Sequence, residues 1–570
     1  MSRFSRGASL CAVAAAAWGT AAAVHYWRAG LTLAHYDARA HLVVARRVFD
    51  SLTPGWQQVG AVWLPLPHML NAIPVQIDAC YRTGFSAIAI SILSMALASW
   101  AIATLIHRAT GSVAGGAAAT ALLMLNPDVL YLQSTPMTEP LLFGTTFLAV
   151  ALVVEWAGRV DVRRSSGCGG AADAAGSPSS SQSALRGAAG ERGPTAPASS
   201  RAAGWALVAA VLTRYEAWPM VAAAIGLALV ALLLRGFPLA AALRAVRGLA
   251  LWPIWAIAAY LVNSKVTVGA WFVSSGFFVA ENPALGRPWL AWTQVWDGLV
   301  ALTGPVLPWA AVIASVAIVV SAFRRTGAGS RQPGDERGHP GSALLVVLAL
   351  AACAALPWFA YVKGHPLRIR YDVPLVAAAA ALTGTGIALL PRRLRPFAAA
   401  ALVGIAAWQA PPFQPTAPVV LESQREAENQ RGRQAVTDYL KAHWNGEPIM
   451  MSMGSLAHYM HDLSRDGFGI GDFLHEGNGE IWIHAVRRPA PFVEWIAIEE
   501  RAEGGDALHW QALHDEYFLK GFVRVAEGGN VGLYKKDTKE AKDTKEAKDT
   551  KEPEEPKEPK EPKESKESKE

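Results

Sequence analysis

A handful of charged and ring-bearing side chains interrupt an otherwise apolar sequence, and their types suit acid–base and anion chemistry. "HYDARAHLVVARR" supplies Asp37, Arg39 and His41, and "VWLPLPHML" supplies Trp63 and His68. "STPMTEPLL" supplies Glu139, and "TRYEAWP" supplies Arg214 and Glu216. "VKGHPLRIRY" supplies Lys363, His365, Arg368, Arg370 and Tyr371. A carboxylate such as Asp37 or Glu139 suits proton abstraction from a hydroxyl. Arginines spaced like Arg368 and Arg370 suit bidentate capture of phosphate oxygens. Each also has a plainer use: Asp37 as a helix N-cap, Glu139 as an acid at a helix N-terminus, and Arg214 with Glu216 as a structural ion pair. Tyr371 would serve as an interfacial aromatic, and His41 and His68 as hydrogen-bonded structural histidines.

The elements that must position these residues follow from composition. The chain has 570 residues, of which 52% are hydrophobic and 17% charged, so long apolar runs must carry most of it. Runs near 8–27, 86–106, 111–126, 140–157, 203–213, 217–234, 249–264, 298–322, 342–361, 372–390 and 396–411 approach the ~20 residues needed to cross a bilayer. The expected fold is a mainly α, polytopic bundle of about eleven spans. The stretch 203–234 reads as two segments broken at "TRYEAWP", because a single helix would be ~48 Å long against a ~30 Å core.

Charge sets an expected orientation. With Arg3 and Arg6 inside, alternation brings the Arg-rich loops at 107–108, 159–201, 235–247, 324–337 and 392–395 to one side, as the positive-inside rule requires. The N-terminus is then cytoplasmic, and the first apolar run reads as an uncleaved anchor in the cell (inner) membrane. The same alternation gathers Asp37, His41, His68, Glu139, Arg214, Glu216 and the basic loop 363–370 at the opposite face. Cations in that loop have no topological reason to be there. The stretch 38–50 has helical apolar spacing and is expected to lie along the outer membrane surface, with Asp37 at or near its N-cap.

Three domains are expected: a transmembrane unit over 1–411, an extracytoplasmic α/β unit over 412–536, and a Lys/Glu-rich tail over 537–570. Within the first, 158–201 is a Gly/Ser/Ala/Pro linker whose composition matches disorder, as does that of the tail. The α/β unit reads as a helix near 422–443, strands at "EPIMMSMG" and "FVEWIAIEE", and a hairpin at "FVRVAEGGNVGLYKK". Cys11, Cys80, Cys168 and Cys353 are scattered, which does not fit a disulfide framework. There is no Gly-rich phosphate loop, no zinc spacing and no reason to expect nucleic acid as a partner.

Taken together, "YDARAH" after the first span, "WLPLPH" before the second, "MTEP" opening the fourth and "RIRY" late in the bundle resemble the GT-C superfamily. The likeness is to the bacterial relatives of protein O-mannosyltransferases and of the lipid A aminoarabinose transferase, and as architecture it covers 1–411. The resemblance implies transfer of a sugar from a polyprenyl-phosphate donor to a hydroxyl of a protein, lipid or glycan, by an inverting reaction among membrane lipids. It implies Asp37 as the catalytic acid residue, Glu139 as a second acid, and Arg368 and Arg370 as holders of the phosphate. Many members carry adjacent acids in the first loop, whereas Ala38 follows Asp37 here; no cofactor is assigned, and a divalent cation is left open. The rival readings are a lipid-linked sugar transporter or flippase, which would favour internal repeats and polar groups at span midpoints, and a non-catalytic membrane scaffold.

Overall fold

The computed structural model describes residues 6–160, 198–273, 282–327, 341–502 and 505–537. All eleven expected apolar runs contain helix. Eight helical segments are long and apolar enough to cross a membrane: Arg6–Arg28, Phe85–Thr110, Glu139–Arg159, Ala217–Leu234, Leu239–Val268, Val306–Arg324, Ala343–Val362 and Ile369–Leu389. The chain is a polytopic membrane protein. A ninth candidate is the pair Val113–Met124 and Pro127–Gln133, bent by 73°. Asn126 fills that break: its side chain accepts from the Asp128 and Val129 amides, and its Nδ2 donates to Leu302 O at 2.7 Å. Ser200–Val211 and Arg395–Gln409 are shorter. The linker expected at 158–201 lies mostly outside the described residues, although its ends are helical through Arg159 and from Ala198; the tail beyond 537 lies outside them entirely.

Two expected elements outside the C-terminal unit differ in the structure. The run 298–322 is not one helix, because Pro288–Thr303 ends at Gly304 and a new helix starts at Val306. Gly304 has φ +71, a Cβ there would sit 2.5 Å from Gln409 Oε1, and Pro305 brings no N–H to continue the ladder. The outer-surface helix is Tyr36–Arg46, and every residue from Asp37 to Ala45 is buried. It is not laid on a membrane surface, because the C-terminal α/β unit covers it.

The helices Phe85–Thr110, Glu139–Arg159 and Ala217–Leu234 run the same way. At their C-terminal ends Arg108 and Arg159 each meet Glu155 at 2.5 Å, and Arg235 donates to Val160 O at 3.0 Å. The N-terminal ends of the latter two carry the acids Glu139 and Glu216 described below. Small residues let backbones touch: a Cβ on Gly384 would lie 2.6 Å from Gly115 O, and one on Gly144 would lie 2.8 Å from Ser94 O.

The C-terminal sheet has the order β2-β1-β3-β5-β4, with β1 at Ile449–Met451, β2 at Phe473–Leu474, β3 at Trp495–Glu499, β4 at Phe522–Gly528 and β5 at Val531–Lys536. β1 pairs in parallel with β2 and β3, while β5 is antiparallel to β3 and β4. The hairpin turns on Gly529 and Asn530, both at positive φ, as a tight two-residue turn requires. The helix expected over 422–443 is three pieces, Pro418–Ser423, Ala427–Gly432 and Gln434–His443. Gly432 lies against the hairpin, where a Cβ would stand 2.7 Å from Gly529 N. One hydrophobic core joins Leu42 and Val43 to Val436, Leu440, Leu456 and Met460, so the first-loop helix is shared between the bundle and the sheet unit.

Candidate active site

The site is built where the Tyr36–Arg46 helix meets the heads of three bundle helices. His35 is the N-cap of that helix, its Nδ1 accepting from the Asp37 amide at 3.1 Å. Asp37 therefore sits in the first turn, where the helix dipole favours a carboxylate. Its Oδ2 accepts from Arg370 Nη2. Arg370 lies in the short 3-10 turn Ile369–Asp372 that opens the Val373–Leu389 helix. From there it also reaches Glu139 Oε1 at 3.6 Å and Glu422 Oε1 at 3.8 Å.

Glu139 is fully buried at the head of its helix. Arg214 Nη1 stands 3.1 Å from its Oε1, and Arg214 forks onto Glu216, with Nη2 at 2.6 Å and Nε at 3.1 Å from Oε1. The same guanidinium donates to Thr138 Oγ1 at 2.8 Å. The result is one buried row of alternating charge, Asp37–Arg370–Glu139–Arg214–Glu216, with Glu422 and His35 as a branch (3.9 Å apart). Alternation is what makes the burial tolerable, since an unpaired charge there would be far costlier. Burial alone would lower the Arg214 pKa, but Glu139 and Glu216 outweigh it and raise it. Burial pushes Glu422 up, yet the His35 hydrogen bond and Arg370 hold it below the ordinary carboxylate range. Neither Glu139 oxygen receives an aligned hydrogen bond from the protein, so its pairing is purely ionic.

The remaining residues expected at the site are distributed around this row. Arg368 is buried, with its guanidinium 5.6 Å from the centre of the Tyr36 ring, next to Asp37. Tyr371 lies under the Arg370 guanidinium at 5.1 Å, and its ring is edge-on to His365 at 5.4 Å. His365 is thus at the margin. Lys363 is exposed at the C-cap of the Ala355–Val362 helix, its Nζ 5.7 Å from the Phe359 ring, and is not brought into the row. His41 Nδ1 and His68 Nε2 are 3.1 Å apart, and His68 Nδ1 is 3.2 Å from Leu64 O. Burial holds both imidazoles below the ordinary histidine range, His68 down to about 3.

Two participants, Glu422 and Asp372, are given no role by the sequence, and Arg39 has a different setting from the one expected. Glu422 follows the apolar "VVL" just past the last hydrophobic run, and only that placement of an acid hinted at it. Asp372 is fully buried against Gly298, where a Cβ would fall 2.1 Å from its Oδ2. Arg39, expected on a helix along the membrane surface, is buried and paired with Asp462 of the C-terminal unit.

Asp37, Glu139, Glu216 and Glu422 each face a guanidinium in the row. Among the described residues one three-residue set has metal-ligand proximity, Glu426, His458 and Glu499, with ligand atoms within 4.8 Å of one another. Arg433 occupies it, with Nη1 2.6 Å from His458 Nε2, and Nη2 2.7 Å from Glu499 Oε1 and 3.5 Å from Glu426 Oε2.

No family model matches the sequence, and no curated protein matches it. Among solved structures the chain is similar to ArnT from Cupriavidus metallidurans bound to undecaprenyl phosphate, with a TM-score of 0.47 and 14% identity over 90% of this chain and 97% of that one. It is also similar to the archaeal oligosaccharyltransferase AglB from Archaeoglobus fulgidus in complex with an inhibitory peptide and a dolichol-phosphate, with a TM-score of 0.42 and 11% identity over 87% of this chain and 70% of that one.

Proposed function

We propose that the protein is a membrane glycosyltransferase that moves a sugar from a polyprenyl-phosphate donor to an acceptor hydroxyl at the extracytoplasmic membrane face. The observation that carries this reading is the contact of Arg370 with Asp37 and Glu139 inside one buried row. A phosphate held by Arg370 and Arg368 would lie beside a carboxylate able to take a proton.

The step balances as a displacement at the anomeric carbon. The bond from that carbon to the phosphate oxygen breaks, and its electron pair leaves with the phosphate. The acceptor oxygen forms the new bond, and its proton passes to Asp37. Guanidinium groups fixed where negative charge develops stabilise the leaving phosphate, and a positioned base contributes ~10²–10⁴-fold. Phosphate oxygens compete with Asp37 for Arg370, so donor binding would free the carboxylate that the reaction needs. The reading requires no metal ion and no nucleotide. The face is argued from the Arg-rich loops, which alternation assigns to the cytoplasm, and from Arg108, Arg159 and Arg235 at the helix ends remote from the row.

The test is an assay of the purified full chain with a panel of polyprenyl-phosphate sugars and hydroxyl acceptors. Transfer with release of polyprenyl phosphate is expected. Movement of the intact lipid across vesicles without transfer would overturn the reading in favour of a flippase.

A further inference from the structure

His41 is four residues after Asp37 in the Tyr36–Arg46 helix, so the two side chains leave the same face one turn apart. Asp37 turns to Arg370. His41 instead lines a narrow cleft with His68, Asn71, Ser91, Pro136 and Thr138.

The hydrogen bonds fix the tautomers. Leu64 O only accepts, so His68 Nδ1 donates to it at 3.2 Å, which leaves His68 Nε2 as a lone pair in the neutral ring. His41 Nδ1 must then donate to His68 Nε2 at 3.1 Å, and His41 Nε2 is left as an acceptor. Trp63, whose ring centre is 4.2 Å from that of His41, holds the plane. Across the cleft the Thr138 hydroxyl oxygen accepts from Arg214, so its own proton is available to donate. An acceptor nitrogen and a donor hydroxyl on one cleft match a group that both donates and accepts. They do not match a phosphate, whose oxygens only accept and would meet the His41 lone pair.

We infer that the His41–Thr138 cleft is a subsite for an uncharged hydroxyl-bearing group, with His41 Nε2 accepting the ligand hydroxyl and His68 a positioning residue behind it. The inference rests on the proposed transfer reaction and adds to it: the phosphate is read by arginines on one side of Asp37, and a neutral hydroxyl by His41 on the other. The hydroxyl belongs either to the donor sugar or to the acceptor.

The experiment is steady-state kinetics on the full chain with a polyprenyl-phosphate sugar, comparing wild type, His41→Phe, His41→Gln and Thr138→Val. His41→Phe keeps the ring and removes the acceptor; Gln restores an acceptor oxygen. Losing one hydrogen bond of this kind and stranding its partner is worth ~5–150-fold. A rise of that size in KM for one hydroxyl partner is expected in His41→Phe, with inhibition by free polyprenyl phosphate unchanged and substantial recovery in His41→Gln. If acceptor KM rises, the hydroxyl is the acceptor's; if donor KM rises and deoxy donors lose their penalty, it is the sugar's. Unchanged KM for both partners, or weakened inhibition by polyprenyl phosphate, overturns the subsite. Should His41→Phe fail to fold, Thr138→Val carries the same prediction. If the wild type transfers no sugar, the reaction itself has failed; binding of methyl glycosides against inorganic phosphate, followed by NMR, then decides the cleft. Glycoside binding lost in His41→Phe upholds it, and equal binding in both overturns it.

Discussion

Arg370 Nη2 donates to Asp37 Oδ2 across 333 positions of sequence, tying the head of a late bundle helix to the first turn of the first-loop helix. The same guanidinium faces Glu139 and Glu422, so one side chain holds three carboxylates in register. That relationship separates what Asp37 does in chemistry from what it does in folding.

Asp37→Asn keeps the shape of the side chain and an oxygen for Arg370, while Arg370 retains Glu139 and Glu422 as counter-charges. The expected outcome is normal membrane insertion and detergent stability, with sugar transfer reduced by ~10²–10⁴-fold as a base is lost. Transfer rates with purified protein check it; full activity would remove Asp37 from the reaction.

Arg370→Ala should behave in the opposite way, because it strips three buried acids of a shared partner. A loss of about 3–5 kcal/mol is expected, read as a large drop in melting temperature and in yield. Arg370→Lys should recover little, since one ammonium cannot span Asp37, Glu139 and Glu422 together. Arg368→Ala gives up its place over Tyr36, worth ~0.5–2 kcal/mol, and should fold while raising the KM for the lipid donor. Donor KM unchanged in Arg368→Ala would take the phosphate role from it.

Much of this was legible in the sequence, for a physical reason. Charges are so costly beside a bilayer that Asp37, Glu139, Arg214, Glu216, Arg368 and Arg370 stand out against the apolar runs, and the structure brings five of them into one row with Arg368 beside it. The break at "TRYEAWP" was readable from length alone. Partners supplied by tertiary packing were not. Glu422 sits among ordinary soluble residues, and the burial of Tyr36–Arg46 depends on a sheet unit some 400 residues later, so amphipathic spacing alone suggested a membrane surface. Lys363 had the right charge and neighbourhood, but the end of the Ala355–Val362 helix turns it outward.

The Arg39–Asp462 pair tests how firmly that sheet unit holds the first loop. Arg39 is only 1% exposed, and its Nε and Nη2 find no hydrogen-bond partner. Asp462→Leu alone would leave a buried guanidinium unpaired, at a cost of about 3–5 kcal/mol. Arg39→Met with Asp462→Leu should recover most of it, because apolar replacement of both partners is often neutral. Melting temperatures of the two single and the double variants form the cycle. Additive losses would mean that the contact does not couple the two units.

The neutral histidines make stability depend on pH. Folded His68 takes a proton only near pH 3, because burial, and then Arg47, disfavour the charged ring; unfolded, it does so near pH 6.5. Below about 6.5 the unfolded state therefore binds the extra proton, and stability falls as pH drops toward 3. At pH 5 this amounts to about 2 kcal/mol for one such group. His41, His458 and His475 are also held well below 6.5, chiefly by burial, and add in the same direction. Melting temperature in detergent is expected to fall steadily from pH 7.5 to pH 5. His68→Gln keeps a neutral hydrogen-bonding group that does not titrate, so its curve should be shallower over that window. An unchanged slope in His68→Gln would mean that His68 is already exposed to protons in the folded state, and the fixed tautomers of the His41–His68 pair would fall with it.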